Sequence, residues 1–82
     1  MHELGIAQSI ISAVRTEAAR HTASSISRIG LRIGPMAGVD RSSLTFCYEA
    51  VVKGTDLETA VLDIEDGSED ELELLYLELE ES

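Results

Sequence analysis

The first three residues, Met1-His2-Glu3, have the types and spacing that could bind a metal. The α-amine of Met1, the backbone nitrogen of His2 and the His2 imidazole can close small fused chelate rings. The backbone nitrogen of Glu3 could supply a fourth position. An all-nitrogen, square-planar arrangement suits Ni(II) or Cu(II) rather than Zn(II) or Mg(II). The alternative is an ordinary solvated histidine, since a histidine at the second position also arises by chance.

Residues 5 to 20 carry the pattern of an amphipathic helix that would support this short arm. Apolar residues recur on one face at helical spacing: Ala7, Ile10, Ile11, Val14 and Ala18. Residues 21–25 are polar and predict a loop. His21 is therefore interpreted as an exposed histidine near a helix C-terminus, where a cationic ring is tolerated, rather than as a second metal ligand.

A strand and a second helix follow. Residues 29–33 alternate as a half-buried strand, and Gly34-Pro35 ends it because proline has no N–H to donate. Asp40 is a suitable N-cap, and Gly54 suits the left-handed position after the helix end. The apolar face between them consists of Leu44, Cys47, Tyr48, Val51 and Val52. On that face, Cys47 is expected to be a small buried apolar residue rather than a ligand.

Two further strands are predicted at residues 60–65 and 71–80. In the second of these strands, Leu72 and Leu74 are at even positions and Leu77 and Leu79 at odd ones, so a regular strand would place the two pairs on opposite faces. A β-bulge near Leu74-Leu75 is needed to bring all four onto one face. The order helix-strand-helix-strand-strand predicts an α/β two-layer sandwich, with two helices packed on one face of a small three-stranded mixed sheet.

The link between the last two strands is short, and it leaves two topologies open. If the strands are neighbours, Asp66-Gly67-Ser68 can make a tight hairpin turn. If another strand lies between them, we expect so short a link not to reach across, and the last strand would enter a second molecule. A monomer is favoured, with a strand-swapped dimer as the alternative.

Composition narrows the classes of function. The 82 residues predict one domain, residues 1–82, with a formal net charge of −10, which argues against nucleic acid because phosphate contacts need clustered basic residues. No apolar run is long enough to cross a membrane and no signal peptide is visible. A lone cysteine fits a reducing compartment, so we expect a cytoplasmic protein. No arrangement typical of an enzyme active site is evident, and we predict that the chain is not an enzyme.

Three blocks of sequence resemble the HypA nickel metallochaperones. They are residues 1–10 (MHELGIAQSI), residues 31–39 (LRIGPMAGV), and the stretch from Leu44 and Phe46 through Tyr48-Glu49 to Lys53-Gly54-Thr55. The resemblance implies two helices on a small sheet and a nickel site at Met1 and His2, with Glu3 beside it. It implies a carrier of Ni(II) for maturation of [NiFe] hydrogenase, and in some organisms of urease. The implied partners are the HypB GTPase and the hydrogenase large subunit.

One part of the family pattern is missing. HypA proteins carry a zinc domain with two Cys-x-x-Cys pairs between the last two strands, whereas Cys47 is the only cysteine here. A four-thiolate zinc site is therefore excluded, and we expect no zinc. Around residues 66–69, where that domain would lie, the chain has a Gly-Ser link. We interpret this as an engineered deletion, and a natural short paralogue is the alternative.

The acidic end of the chain supports a rival function. All six basic residues precede Gly54, while nine of the sixteen acidic ones lie between Glu65 and Glu81. This segment could attract a basic partner, which would make the chain a protein-interaction module that uses no metal. A solvated strand face is the simpler interpretation, and a folded fragment without activity is a third alternative.

Overall fold

Two helices and three strands follow one another in the predicted order. The computed structural model describes residues 2–21 and 25–80. The elements are α1 (Glu3–Ala18), β1 (Ser25–Ile33), α2 (Arg41–Val52), β2 (Val61–Asp66) and β3 (Leu72–Glu80). α1 begins two residues earlier than predicted because the amide of Ile6 already donates to the carbonyl of His2 at 3.1 Å. β1 begins four residues earlier because Ser25 pairs with Glu80 at the far end of β3.

The sheet is mixed and open, with the order β2-β1-β3. β1 pairs with β2 in parallel and with β3 in antiparallel orientation. The two helices cover one face of the sheet, which confirms the predicted two-layer α/β sandwich. β1 contributes Ile29, Leu31 and Ile33 to the core, and the helices contribute the buried residues Ala7, Ile10, Val14, Leu44, Tyr48 and Val52. The core is therefore centred on the middle strand.

The predicted β-bulge in the last strand is confirmed. Gly30 pairs with Tyr76 while the next residue, Leu31, pairs with Leu74, so Leu75 is the extra residue on β3. The extra residue reverses the side-chain alternation. As a result, the leucines on both sides of it face the helices: Leu72, Leu74, Leu77 and Leu79.

The link from β2 to β3 passes over the end of β1. β1 lies between these strands, so the expectation that so short a link cannot cross an intervening strand was wrong. The strands on either side of β1 are separated by about 9.6 Å, and the five residues 67–71 span up to about 17 Å when extended. The link is held by hydrogen bonds from Gly67 N to Ile33 O (2.9 Å), from Gly34 N to Glu71 O (2.9 Å) and from Met36 N to Glu69 O (2.7 Å).

Both ends of α2 follow the predicted chemistry. The Asp40 carboxylate accepts hydrogen bonds from the amides of Ser42 and Ser43 at 3.0 and 3.3 Å. At the other end, Gly54 has φ of 79°, in the left-handed region that glycine adopts at low cost. These two residues determine where the helix starts and stops.

Across residues 2–21 and 25–80, neither helix combines the length and apolar character that a membrane span requires.

Candidate metal centre

His2 lies at the start of α1 and is exposed. Its backbone is extended (φ −86°, ψ 93°), as is usual for an N-cap, but its side chain makes no capping hydrogen bond. The imidazole therefore does not cap the helix. Met1, the other residue of the predicted chelate, lies outside the described residues.

The first amides of α1 have no helical acceptor. In any α-helix the first N–H groups lack a carbonyl four residues earlier, and here the bond from Ile6 to His2 is the first of the ladder. The backbone nitrogens of His2 and Glu3 therefore precede that ladder. A metal could take them without breaking a helical hydrogen bond.

The carboxylate of Glu3 contacts the start of α2. Its Oε2 accepts a hydrogen bond from the backbone amide of Asp40 at 3.1 Å. This hydrogen bond lowers the pKa of the Glu3 carboxyl below its ordinary value of 4.5. Glu3 thus ties the beginning of the first helix to the N-cap of the second.

Two hollows open on either side of His2. The first, about 560 Å³, lies between the N-terminal turns of the two helices, and its wall includes Leu4, Phe46 and Cys47. The side chain of Phe46 is 72% exposed and that of Leu4 is 50% exposed. The second, about 570 Å³, lies between α1 and β3 and is lined by His2, Gly5, Ile6, Ser9, Ile10, Ala13, Leu72 and Leu74. The arm therefore begins between two partly apolar surfaces.

The other candidate ligands do not gather around His2. His21 is exposed beyond the C-terminal end of α1, and this 16-residue helix is about 24 Å long. Cys47 is partly buried and packs against the core, as a small apolar residue would. Across the described ranges, no group of three or more His, Cys, Asp or Glu side chains is arranged to hold a metal ion.

The acidic end of the chain is partly paired with arginines on the sheet. Arg32 contacts Glu65 at 3.2 Å, and Arg28 contacts Glu78 at 3.2 Å. These side chains are between 38% and 55% exposed, so each pair contributes little to stability. The carboxylates lie on the solvent-facing side of the sheet.

Sequence reasoning missed the contact between Glu3 and Asp40. The N-cap role of Asp40 is a local signal, because a carboxylate there reaches amides two and three residues ahead. Its backbone contact to Glu3 joins residues that are 37 positions apart. No periodicity or spacing in the chain reports such a contact.

A family model described as hydrogenase/urease nickel incorporation, metallochaperone, hypA, matches residues 1–70. Two relatives called hydrogenase maturation factor HypA are similar. The one from Chlorobium limicola is 48% identical over 66 residues, covering 80% of this chain and 57% of the relative. The one from Paracoccus denitrificans is 38% identical over 66 residues, covering 80% of this chain and 58% of the relative. The chain therefore spans slightly more than half the length of these relatives.

The fold is also similar to that of solved structures. The solution structure of the Ni metallochaperone HypA from Helicobacter pylori superposes with a TM-score of 0.85 at 21% identity, covering 100% of both chains. At that identity the likeness concerns the fold alone. The match to the family model covers residues 1–70 of the 82, and on that ground the chain belongs to the HypA family of nickel metallochaperones.

Proposed function

We propose that this chain is a nickel carrier that binds one Ni(II) ion at its N-terminus for maturation of [NiFe] hydrogenase. The proposed ligands are the amine of Met1, the backbone nitrogen and imidazole of His2, and the backbone nitrogen of Glu3. The observation that carries the proposal is the free, exposed His2 at the first turn of α1, ahead of the first helical hydrogen bond. An all-nitrogen square-planar set suits Ni(II), and Cu(II) would compete for it.

The carboxylate of Glu3 is assigned a positioning role. Its hydrogen bond to the amide of Asp40 supports this assignment, because a carboxylate held against α2 keeps the start of α1 in a defined place. The metal would then sit on a short arm with a firm base. Such an arm is accessible to a partner and responds to pH, because protons compete with nickel for the amine and the imidazole.

The HypA family resemblance supports the HypB GTPase and the hydrogenase large subunit as partners, and this role would be exercised in the cytoplasm. We also propose that residues 66–69 replace the zinc domain of longer relatives, so that residues 1–82 are the nickel domain alone. The supporting fact is that the chain spans 57% of the Chlorobium limicola relative. Nickel loading needs only the arm, whereas any role of a zinc domain in transfer would be lost.

The test is a titration of Ni(II) into untagged protein, followed by the ligand-field absorbance of square-planar nickel. His2→Ala is the decisive variant, and His21→Ala is the matched control, since it removes the only other histidine. We expect one equivalent to bind to the native chain and to His21→Ala, and the band to vanish in His2→Ala. Equal, weak binding by all three would refute the proposal and favour the interaction module that uses no metal.

Two further variants separate the roles of Glu3 and of the amine. Glu3→Gln keeps the backbone nitrogen and changes the carboxylate, so we expect the square-planar band to remain. A Gly-Ser extension before Met1 moves the amine away from His2, so we expect the band to be lost. Loss of the band in Glu3→Gln would instead make the carboxylate a direct ligand.

A further inference from the structure

The outer edge of β3 is a long strand edge that is open to a partner. We propose that it takes up an extended segment of another protein in which aliphatic and basic residues alternate. β3 runs over nine residues and pairs with β1 on one side only. On its other side, no strand of the described ranges pairs with it. A strand edge of this length with no neighbouring strand is a template for strand addition.

The helix-facing side of β3 has room for the aliphatic side chains of such a segment. Leu72 is 41% exposed, and the other inward leucines of β3 are only partly buried: Leu74, Leu77 and Leu79. The hollow of about 570 Å³ between α1 and β3 begins at His2. Farther along α1 lies another hollow of about 450 Å³, and Ala13 lines both. Side chains at alternate positions of an added strand would enter these hollows, because they point to one face of the sheet.

The opposite side of β3 selects basic residues. Register with β1 places Glu73, Tyr76, Glu78 and Glu80 on the solvent-facing side, and Tyr76 donates a hydrogen bond to Asp63 there at 2.6 Å. The chain has no Lys or Arg after Lys53. Basic residues on the incoming strand would therefore lie opposite carboxylates. Cross-strand pairs of opposite charge stabilise a sheet.

β1 already shows the pattern that β3 accepts. It alternates inward Ile29 and Leu31 with outward Arg28 and Arg32, and those arginines lie opposite Glu78 and Glu73. A partner strand with the same alternation would repeat on the outer edge of β3 what β1 does on the inner edge. A second copy of this chain does not fit, because two β3 edges would place glutamates against glutamates.

The docked segment would end beside the metal arm, since the hollow between α1 and β3 is bounded by His2. The inference goes beyond nickel binding and does not depend on it. It uses only β3, α1 and the hollows between them. Partner docking and nickel loading can therefore be abolished separately.

The test uses a capped peptide of alternating Ile and Arg that has nine residues, the length of β3. Its binding is measured by calorimetry and by changes in the amide NMR shifts of the protein. Ala13→Trp places a bulky ring where the two hollows meet, because Ala13 lines both. Gln8→Trp is the matched control, since Gln8 is exposed about 140° around the helix. We expect Ala13→Trp to weaken binding at least about tenfold and Gln8→Trp to leave it unchanged, with NMR shifts concentrated on β3. Thermal unfolding of both variants should be cooperative, as for the native chain, if both are folded.

Two altered peptides complete the experiment. N-methylation at alternate residues removes ladder hydrogen bonds, and Glu in place of Arg reverses the charge, so both should lose binding. Equal binding of either altered peptide, or a dimer mass for the free protein in sedimentation, would overturn the proposal. Ala13→Trp should bind nickel normally, and the native chain should bind the peptide in the absence of nickel, which separates failure of the docking site from failure of the metal site.

Discussion

Replacement of Gly34 by Ala tests how the chain closes its sheet. Gly34 follows β1, directly under the link from β2 to β3. A Cβ added there would lie closer than 3.0 Å to the backbone carbonyl oxygens of Ser68 and Glu69. Both obstacles are backbone atoms, so no side-chain rotation relieves the clash. The link itself must move away from the end of β1.

The cost follows from what that movement breaks. Overpacking against a fixed backbone costs about 1–3 kcal/mol, and each of the three hydrogen bonds that hold the link contributes about 1 kcal/mol. We expect partial loss of these hydrogen bonds and the remaining strain together to lower the free energy of unfolding by about 2–4 kcal/mol. A small domain is stable by roughly 5 kcal/mol or somewhat more, so we expect a fall in melting temperature of about 10 °C or more.

The assay is urea and thermal unfolding, with Gly5→Ala as the matched control. A Cβ at Gly5 meets nothing within 4 Å, and Gly5 lies in α1, so this change should stabilise the protein by up to about 1 kcal/mol. If Gly34→Ala has the stability of the native chain while Gly5→Ala is stabilised as expected, the reasoning is refuted. It would mean that the link does not cross β1 within one molecule, as in a strand-swapped dimer.

Three further results are expected. Asp40→Ala removes the side-chain acceptor for two amides of α2 and should lower the free energy of unfolding by about 1 kcal/mol. Asp40→Asn keeps an oxygen acceptor and should retain most of this stabilisation. Equal losses of stability for the two variants in chemical denaturation would contradict the capping role. Tyr48→Phe leaves the buried carbonyl of Ala60 without its 3.0 Å donor and should cost about 1–3 kcal/mol, measured by urea unfolding. The hydrogen bond from Tyr76 to Asp63 raises the pKa of Tyr76 above 10.0, so this contribution to stability is present below pH 10.0 and is lost as pH rises through the folded pKa. NMR titration of the Tyr76 ring should show the pKa falling in Asp63→Asn, and an unchanged pKa would exclude the hydrogen bond as its cause.

Local chemistry made most of the secondary structure predictable. Asp40 and Gly54 mark the ends of α2 because capping and the left-handed conformation depend on residues only a few positions away. The parity change between Leu74 and Leu77 predicted the bulge because strand side chains alternate with a period of two. The Met1-His2-Glu3 chelate could also be proposed from the sequence, since a chelate of consecutive residues needs no distant partner, and it stays a prediction.

Tertiary structure alone decided how these elements meet. β1 became the central strand, and the link reached across it because Gly34 has no Cβ to block the passage. The contact between Glu3 and Asp40 arose because α1 and α2 start side by side on the same face of the sheet. Strand order and helix placement depend on pairing between residues far apart in the chain, and a pattern that repeats every two or 3.6 residues carries no record of which distant segment lies alongside.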